Sequence, residues 1–393
     1  MPKREKVMYL ITKNTQGRGG HYYSLKTTVK ALSNIVDSYV ITISKVETSV
    51  VDDPNIERMV IYCNGWNFFK TMLTLIKITK KEQPDVIHAF DSAVLLFARI
   101  LSFVFKLPLL YTKCGGKNPT GFYPYARDII VYSYENLHFF TSENKLKNTN
   151  FYFIPNRVAT IKSDNRRILL IKEKLDKTKK VFLRIARFGP AYKKSILQSI
   201  DLIKFLTDRQ IDAQLVLIGI IQDKKVYDEI TEYIDKHQKL NIYVFTNNEM
   251  TVNASELIDI ADCVIGTGRS LMEAASKSKV LLTPVEDSTL PVLVTQKCFN
   301  SFFATNFSPR NQLGKELIQE NKQNIIALFK SPDFFQKQQE FSKKIYEQYF
   351  DIDTKHEEYN KVYESISYDT RIHLVDFLEH LMRTIIGFIR TVK

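Results

Sequence analysis

The sequence predicts an α/β protein of two lobes, each a parallel sheet with helices packed on both faces. Two observations lead to this. Short apolar runs of strand length alternate with amphipathic helical stretches from one end to the other, as strands joined by crossover helices do. The series restarts after a polar, charge-rich crossing at 159–180, and 393 residues exceed what one ordinary core holds.

In the first half, 7–11 (VMYLI), 39–43 (YVITI), 84–90 (PDVIHAF) and 107–112 (LPLLYT) read as strands, with helices at 24–32, 68–80 and 94–105. The crossing reads as a linker plus a short helix. Strands are then expected at 181–186, 213–219, 241–246, 262–266 and 280–284, separated by helices at 195–207, 225–237, 254–260 and 270–276. This gives a Rossmann-like acceptor lobe at 1–160, a Rossmann-like donor lobe at 161–350, and a helical segment at 351–393 expected to pack back on the first lobe. The carboxyl ends of both parallel sheets are expected to face a central cleft, where ligands of open α/β sheets bind.

Composition narrows the class. A hydrophobic fraction of 44% with 25% charged residues suits a folded globular chain, neither disordered nor a multi-span membrane protein. Residues 94–110 are strongly apolar, yet Arg99, Lys106 and Pro108 interrupt them before the ~20 apolar residues a spanning helix needs. Lys plus Arg number 56 against 43 Asp plus Glu, a net charge of +13 that suits an anionic partner such as nucleotide phosphate or a lipid headgroup. The basic residues fall in short scattered pairs without an aromatic RNA-binding signature, so nucleic acid is not an expected partner. At 371–390, Leu374, Phe377, Leu378, Leu381, Ile385 and Phe388 recur at helical spacing with Arg383 and Arg390 interleaved. Such a helix suits packing against a lobe or lying on an anionic membrane surface.

Cys63, Cys114, Cys263 and Cys298 are widely separated, which argues against a zinc site and a disulfide framework. With no secretory signal pattern at the start, the expected location is cytoplasmic, with peripheral contact at the inner face of the membrane as an extension. Asp351-Ile352-Asp353 has the spacing of a metal-binding carboxylate pair but lies in a charged helical region and reads as a solvated face; no metal is expected.

Two segments could carry chemistry. In 261–282 a strand breaks at Gly266-Thr267-Gly268 and enters a helix with Arg269, Ser270 and Glu273. Glycines allow a sharp turn and close approach of backbone N–H groups to an anionic or hydroxyl-rich ligand. Arg269 adds a charged fork, and Glu273, one turn on, suits a ribose diol. In 183–195 (LRIARFGPAYKKS) a strand ends in Arg187, a Gly-Pro turn follows, and Lys193-Lys194 open the next helix. Cations at such a place neutralise a diphosphate and stabilise it as a leaving group.

Taken in this order, the segments resemble a GT-B glycosyltransferase of the family-four (glycosyl transferases group 1) type. The match runs over nearly the whole chain, through the Arg187 loop, the strand AQLVLIG (213–219), NIYVFTNN, ASELIDIADCVIG and LMEAA. The resemblance implies a nucleoside-diphosphate-sugar donor as co-substrate with no cofactor, metal-independent chemistry and, as usual in the family, retention of configuration. It gives the diphosphate to Arg187 and Lys194, with Lys193 as the alternative, and the ribose to Glu273. The loop QGRGGHYYSL (16–25) resembles the family's Gly-rich loop, where Gly19 and Gly20 would let the backbone approach the donor or acceptor, with donor binding expected; His21 is open between a site role and a helix-capping one. PDVIHAFDS (84–92) resembles the strand and loop near the acceptor, with His88 favoured as a buried strand residue over a base.

Two departures stand out. The first glutamate of the family's acidic motif is Ile265 here, and the histidine that follows the strand LPLLYT in many relatives is replaced by Lys113-Cys114-Gly115-Gly116. The expected acceptor is a saccharide or lipid-linked saccharide. A catalytically idle GT-B-like binding or regulatory subunit is the competing reading. A nicotinamide oxidoreductase fares worse, because neither glycine turn gives the dinucleotide fingerprint after a strand with an acidic residue ~20 positions on.

Overall fold

The computed structural model describes residues 4–13, 20–45, 56–354, 356–371 and 373–390. The chain forms two compact units: residues 1–157 with 352–393, and residues 158–351.

The first unit holds a seven-stranded, all-parallel sheet: β1 (Lys6–Lys13), β2 (Asp37–Ser44), β3 (Glu57–Tyr62), β4 (Val86–Ala89), β5 (Leu109–Lys113), β6 (Asp128–Val131) and β7 (Asn150–Phe153), in the order β3-β2-β1-β4-β5-β6-β7. Residues 7–11 of β1 are apolar without alternation because helices cover both faces. Met8 and Leu10 join the core beneath helices Phe68–Glu82 and Ser92–Phe105, while Val7, Tyr9 and Ile11 face the opposite core, with Leu25 and Val29 of helix Gly20–Leu32. Asp91 starts helix Ser92–Phe105 by accepting the Ala93 and Val94 N–H groups on Oδ1, and Oδ2 takes the Thr12 N–H and hydroxyl at the end of β1. One carboxylate thus ties the ends of β1 and β4 together.

The C-terminal segment belongs to this unit. Tyr359, Val362 and Tyr363 of helix His356–Ser365 fill one core. Phe388 is buried in the other, and Phe377, Leu381 and Ile385 of helix Leu374–Arg390 pack against it. Asp376 fixes that helix through Arg99 at 2.7 Å and Lys145 at 2.6 Å.

The second unit holds β8 (Lys180–Ile185), β9 (Ala213–Ile218), β10 (Ile242–Phe245), β11 (Cys263–Ile265), β12 (Val280–Thr283) and β13 (Val292–Leu293), ordered β10-β9-β8-β11-β12-β13. All neighbours are parallel except β12 with the two-residue β13. Helix Pro190–Thr207 begins five residues before the expected Ser195, with Gly189 at the cap and Pro190 in its first turn. Residues 254–260 form a 3-10 rather than an α-helix.

Strands β3, β6, β7 and β13 lie beyond those the sequence pattern marked. Edge strand β3 begins Glu57-Arg58, and its exposed positions break the apolar run by which a buried strand is recognised. Strands β6, β7 and β13 have four residues or fewer, too short for a periodicity to register.

Candidate functional site

Because β9, β8, β11 and β12 are parallel neighbours, the turns that follow them stand side by side along one sheet edge. These turns hold Gly219, Arg187, Gly266 and Glu286 in that order. Gly219 is forced by close approach: a Cβ there would lie 1.7 Å from the Ala186 carbonyl oxygen, so only glycine lets the end of β9 pass under the Arg187 loop. Gly266 is similarly confined, with the Leu271 backbone nitrogen 3.0 Å from a Cβ position.

Arg187 is half-buried; its Nη2 donates to the Tyr192 hydroxyl at 2.9 Å and its guanidinium carbon lies 5.2 Å from the Tyr192 ring centre. Tyr192 therefore orients the cation without neutralising it. The paired lysines diverge. Lys193 Nζ reaches the Glu229 carboxylate of helix Lys224–Asp235, on the β9 side. Lys194 Nζ donates to the Glu286 carbonyl after β12, and the Glu286 carboxylate stands 4.0 Å away. Lys194 is thus the lysine on the glycine-turn side.

Gly268 has φ +50°, and Thr267 and Ser270 close the turn: the Thr267 N–H donates to Ser270 Oγ at 3.0 Å and that hydroxyl donates to the Thr267 carbonyl at 3.0 Å. Helix Arg269–Ala275 is only seven residues long, so its end charge is small. Arg269 Nε donates to Glu273 Oε1 at 2.8 Å. Burial pushes the Glu273 pKa up, and Arg269 pulls against it. The expected pairing of Glu273 with a ribose diol therefore starts from a carboxylate that already serves Arg269.

Three residues next to these turns lie outside the sequence expectations. Asn306 and Phe307 are consecutive left-handed residues at φ 57° and 51°, and the Asn306 carbonyl lies 3.6 Å from where a Gly268 Cβ would stand. Nothing in their local sequence marks them. Arg184, the fifth of the six residues of β8, is 2% exposed; its Nη1 donates to the Ile265 carbonyl at 3.1 Å and its Nη2 to Ser195 Oγ at 2.9 Å. Burial lowers its pKa to about 10, so it stays protonated at neutral pH. An arginine inside the apolar run VFLRIA is the signal that could have found it.

In the first unit the candidate residues separate. Gly19 lies outside the described residues. Gly20 begins helix Gly20–Leu32 and its carbonyl accepts the Ser24 hydroxyl at 3.0 Å; the His21 ring packs 4.0 Å from Tyr22. His88 is a core residue and no base: fully buried in β4, it has Nδ1 2.9 Å from the Tyr363 hydroxyl and Nε2 2.7 Å from Thr112 Oγ1. Burial lowers its pKa to about 3. Cys114 is half-buried, its thiol donates to the Phe90 carbonyl at 3.5 Å, and desolvation pushes its pKa up to about 12, which disfavours the thiolate. Lys113 is buried at the end of β5 with Nζ on the Gly115 carbonyl. Gly115 and Gly116, at φ 68° and 85°, form a left-handed turn whose Gly116 carbonyl accepts Asn136 Nδ2 at 3.3 Å. The Asp351-Ile352-Asp353 segment is structural at its first two positions: Asp351 pairs with Val158 in a β-bridge and Ile352 is buried.

No protein-family model matches the chain, and no curated protein matches it in sequence. Solved structures do match in fold. A glycosyltransferase from Rickettsia africae aligns over 92% of this chain and 98% of its own, with TM-score 0.68 at 15% identity. Anabaena HepE, solved with UDP and glucose, aligns over 92% of this chain and 100% of its own with TM-score 0.66 at 15% identity. Sucrose-phosphate synthase from Thermosynechococcus elongatus aligns over 92% and 98%, with TM-score 0.61 at 11% identity. The chain has the GT-B fold of these glycosyltransferases.

Proposed function

We propose that this chain is a glycosyltransferase that moves a sugar, of hexose type, from a nucleoside-diphosphate-sugar to a hydroxyl of a saccharide or lipid-linked saccharide. The observation that carries this is the placement of Arg187 on the turn after β8 and Lys194 in the helix that follows, beside the Gly266–Gly268 turn after the neighbouring β11. A diphosphate resting there meets two cations and a glycine turn open to close approach. The fold shared with HepE, solved with UDP and with UDP-glucose, supports the same donor class.

In this reading the glycosidic C–O bond breaks with its electron pair left on the diphosphate, where Arg187 and Lys194 stabilise the growing charge. The acceptor oxygen bonds to the anomeric carbon, and its proton passes to a diphosphate oxygen. No protein nucleophile is needed, the configuration is retained, and the step runs without metal or cofactor. In this reading His21, at the start of helix Gly20–Leu32, and Gly115 and Gly116, after β5, are the acceptor-side groups, with Gly20 beside them toward the donor; His88 and Lys113 are buried and Cys114 is half-buried.

A peripheral place at the inner face of an anionic membrane, within cell-envelope polysaccharide synthesis, extends the proposal. Among the described residues no helix is long and apolar enough to cross a membrane. Helix Leu374–Arg390 leaves Val375, Leu378, Met382 and Ile386 exposed opposite its packed face. Helix Phe68–Glu82 exposes Phe69 and Leu73 alongside Lys70 and Lys77, and Trp66 just before it is 78% exposed. Apolar groups with lysines around them fit an anionic bilayer surface. Because Phe388 and Asp376 are buried, deleting residues 371–393 would damage the core, so Leu378→Asp and Met382→Asp are the clean variants. They are expected to abolish flotation with anionic vesicles; unchanged flotation would remove this face from the proposal.

The idle-subunit reading draws on Ile265 and the buried Lys113, which stand where many relatives carry the first glutamate and the histidine. Incubating the purified protein with UDP-, GDP- and other activated sugars, with and without saccharide acceptors, separates the two. Release of nucleoside diphosphate that Arg187→Ala abolishes supports the enzyme; donor binding with no turnover across the panel supports the subunit.

A further inference from the structure

We propose that Arg184 is a positioning residue for the donor diphosphate: a buried guanidinium that joins the Arg187–Lys194 segment to the Gly266 turn and holds a fixed positive charge between them. This rests on the nucleotide-sugar reading above.

The two bonds that Arg184 donates end on the two halves of the candidate site. Ile265, whose carbonyl accepts from Nη1 at 3.1 Å, immediately precedes Gly266. Ser195, whose hydroxyl accepts from Nη2 at 2.9 Å, immediately follows Lys194. Ser195 in turn donates to the Tyr192 carbonyl at 2.8 Å, and the Tyr192 hydroxyl accepts from Arg187 at 2.9 Å. Hydrogen bonds therefore run from the glycine turn through Arg184 and Ser195 to the Tyr192 backbone, and the Tyr192 side chain completes the path to Arg187.

The charge itself calls for a reason. Arg184 is 2% exposed, its Nε has no hydrogen-bond partner, and among the described residues no carboxylate pairs with it. A buried cation without a counter-ion costs several kcal/mol, whereas an uncharged amide could span two acceptors at lower cost. In a site of low dielectric the same charge acts strongly on an anion that arrives beside it, and it needs no reorganisation to do so. A diphosphate bound at these turns would supply the counter-charge that no carboxylate among the described residues provides.

The test is calorimetric titration of the intact protein with UDP and UMP, and with GDP and GMP in parallel, for wild type, Arg184→Met, Arg184→Lys and Arg187→Ala, with melting temperatures recorded without ligand. Replacing a buried unpaired charge by an apolar side chain of similar length leaves stability level or improved, so Arg184→Met is expected to melt no lower than wild type by more than about 3 °C. Its affinity for the diphosphate is expected to fall roughly ten- to a hundredfold while the monophosphate changes much less, and Arg184→Lys, which keeps the charge, recovers part of that loss. A diphosphate-to-monophosphate affinity ratio unchanged in Arg184→Met overturns the proposal, including when both affinities fall together through a loosened fold. If the Met variant does not fold, Arg184→Gln is judged by the same ratio. Wild-type binding that depends on Arg187 but not on position 184 overturns this inference and leaves the donor reading standing; a wild type that binds neither diphosphate overturns the donor reading and this inference with it.

Discussion

At the carboxyl edge of the first sheet, His88 is held in the protein interior, bonded to Tyr363 and Thr112, and Cys114 is half-buried against the same core with its thiol raised by burial. At the corresponding edge of the second sheet, Arg187 stands on a turn and Lys194 at the fifth residue of the helix after it, tethered through a phenol and a backbone carbonyl. In the sequence His88 already reads as a buried strand residue, whereas the place of Cys114 in the site stays open. The difference is whether the residue lies within or tight against a strand buried on both faces, or on the turn beyond it, where an arriving ligand can reach the side chain. Arg184 joins the two patterns: it sits within the strand, yet its bonds end on the turns.

The largest expected effect that tests this comparison is at Gly219. With a backbone oxygen 1.7 Å from any added Cβ, Gly219→Ala should cost the second unit more than about 4 kcal/mol or prevent its folding. Thermal unfolding indistinguishable from wild type would show that the Arg187 loop is not held by this crossing. Arg187→Ala should come next, removing about 3–4 kcal/mol of transition-state stabilisation, a loss of some hundredfold or more in transfer rate with far-UV circular dichroism unchanged. A rate within about threefold of wild type would take Arg187 out of the site.

The first unit should respond to acid instead. Its His88 pKa is lowered to about 3 from an ordinary 6.5, so the folded state favours the neutral ring. The resulting stability is fully present above pH 6.5 and is lost as pH falls toward 3, amounting to about 2–3 kcal/mol by pH 4.5. His380, lowered to about 4, adds in the same direction and the same unit. Calorimetric scans between pH 7 and 4.5 should show the transition of the first unit moving down; a His88→Gln variant with an unaltered pH slope would refute the assignment. Smallest is the contrast between the lysines: Lys194→Ala should weaken nucleoside-diphosphate binding roughly tenfold and Lys193→Ala less than about threefold. The reverse order in titration calorimetry would move the diphosphate toward the β9 side.

The alternation of apolar strands and amphipathic helices was legible because parallel strands covered on both faces must be apolar, as in VMYLI and AQLVLIG. Strand β3 was not, because an edge strand that opens with Glu57-Arg58 carries no such pattern. At the candidate site, Arg187, the lysine pair and the glycine turn could be read because turn chemistry is local: Gly-Pro and Gly-Thr-Gly dictate backbone shape within a few residues. Asn306 lies nearly forty residues beyond Gly268 in sequence and meets it only through packing.

The sequence by itself determined the class of fold, the restart at a second sheet and the positions of the basic and glycine-rich turns, all consequences of short-range periodicity and backbone preference. Only the tertiary structure decided that helix Leu374–Arg390 completes the core of the first unit, that His88 is sealed between two hydroxyls, that Lys194 and not Lys193 leans to the glycine turn, and that Arg184 links both loops. Those outcomes depend on which distant segments meet and on how much water they exclude, and neither quantity is written in any window of neighbouring residues.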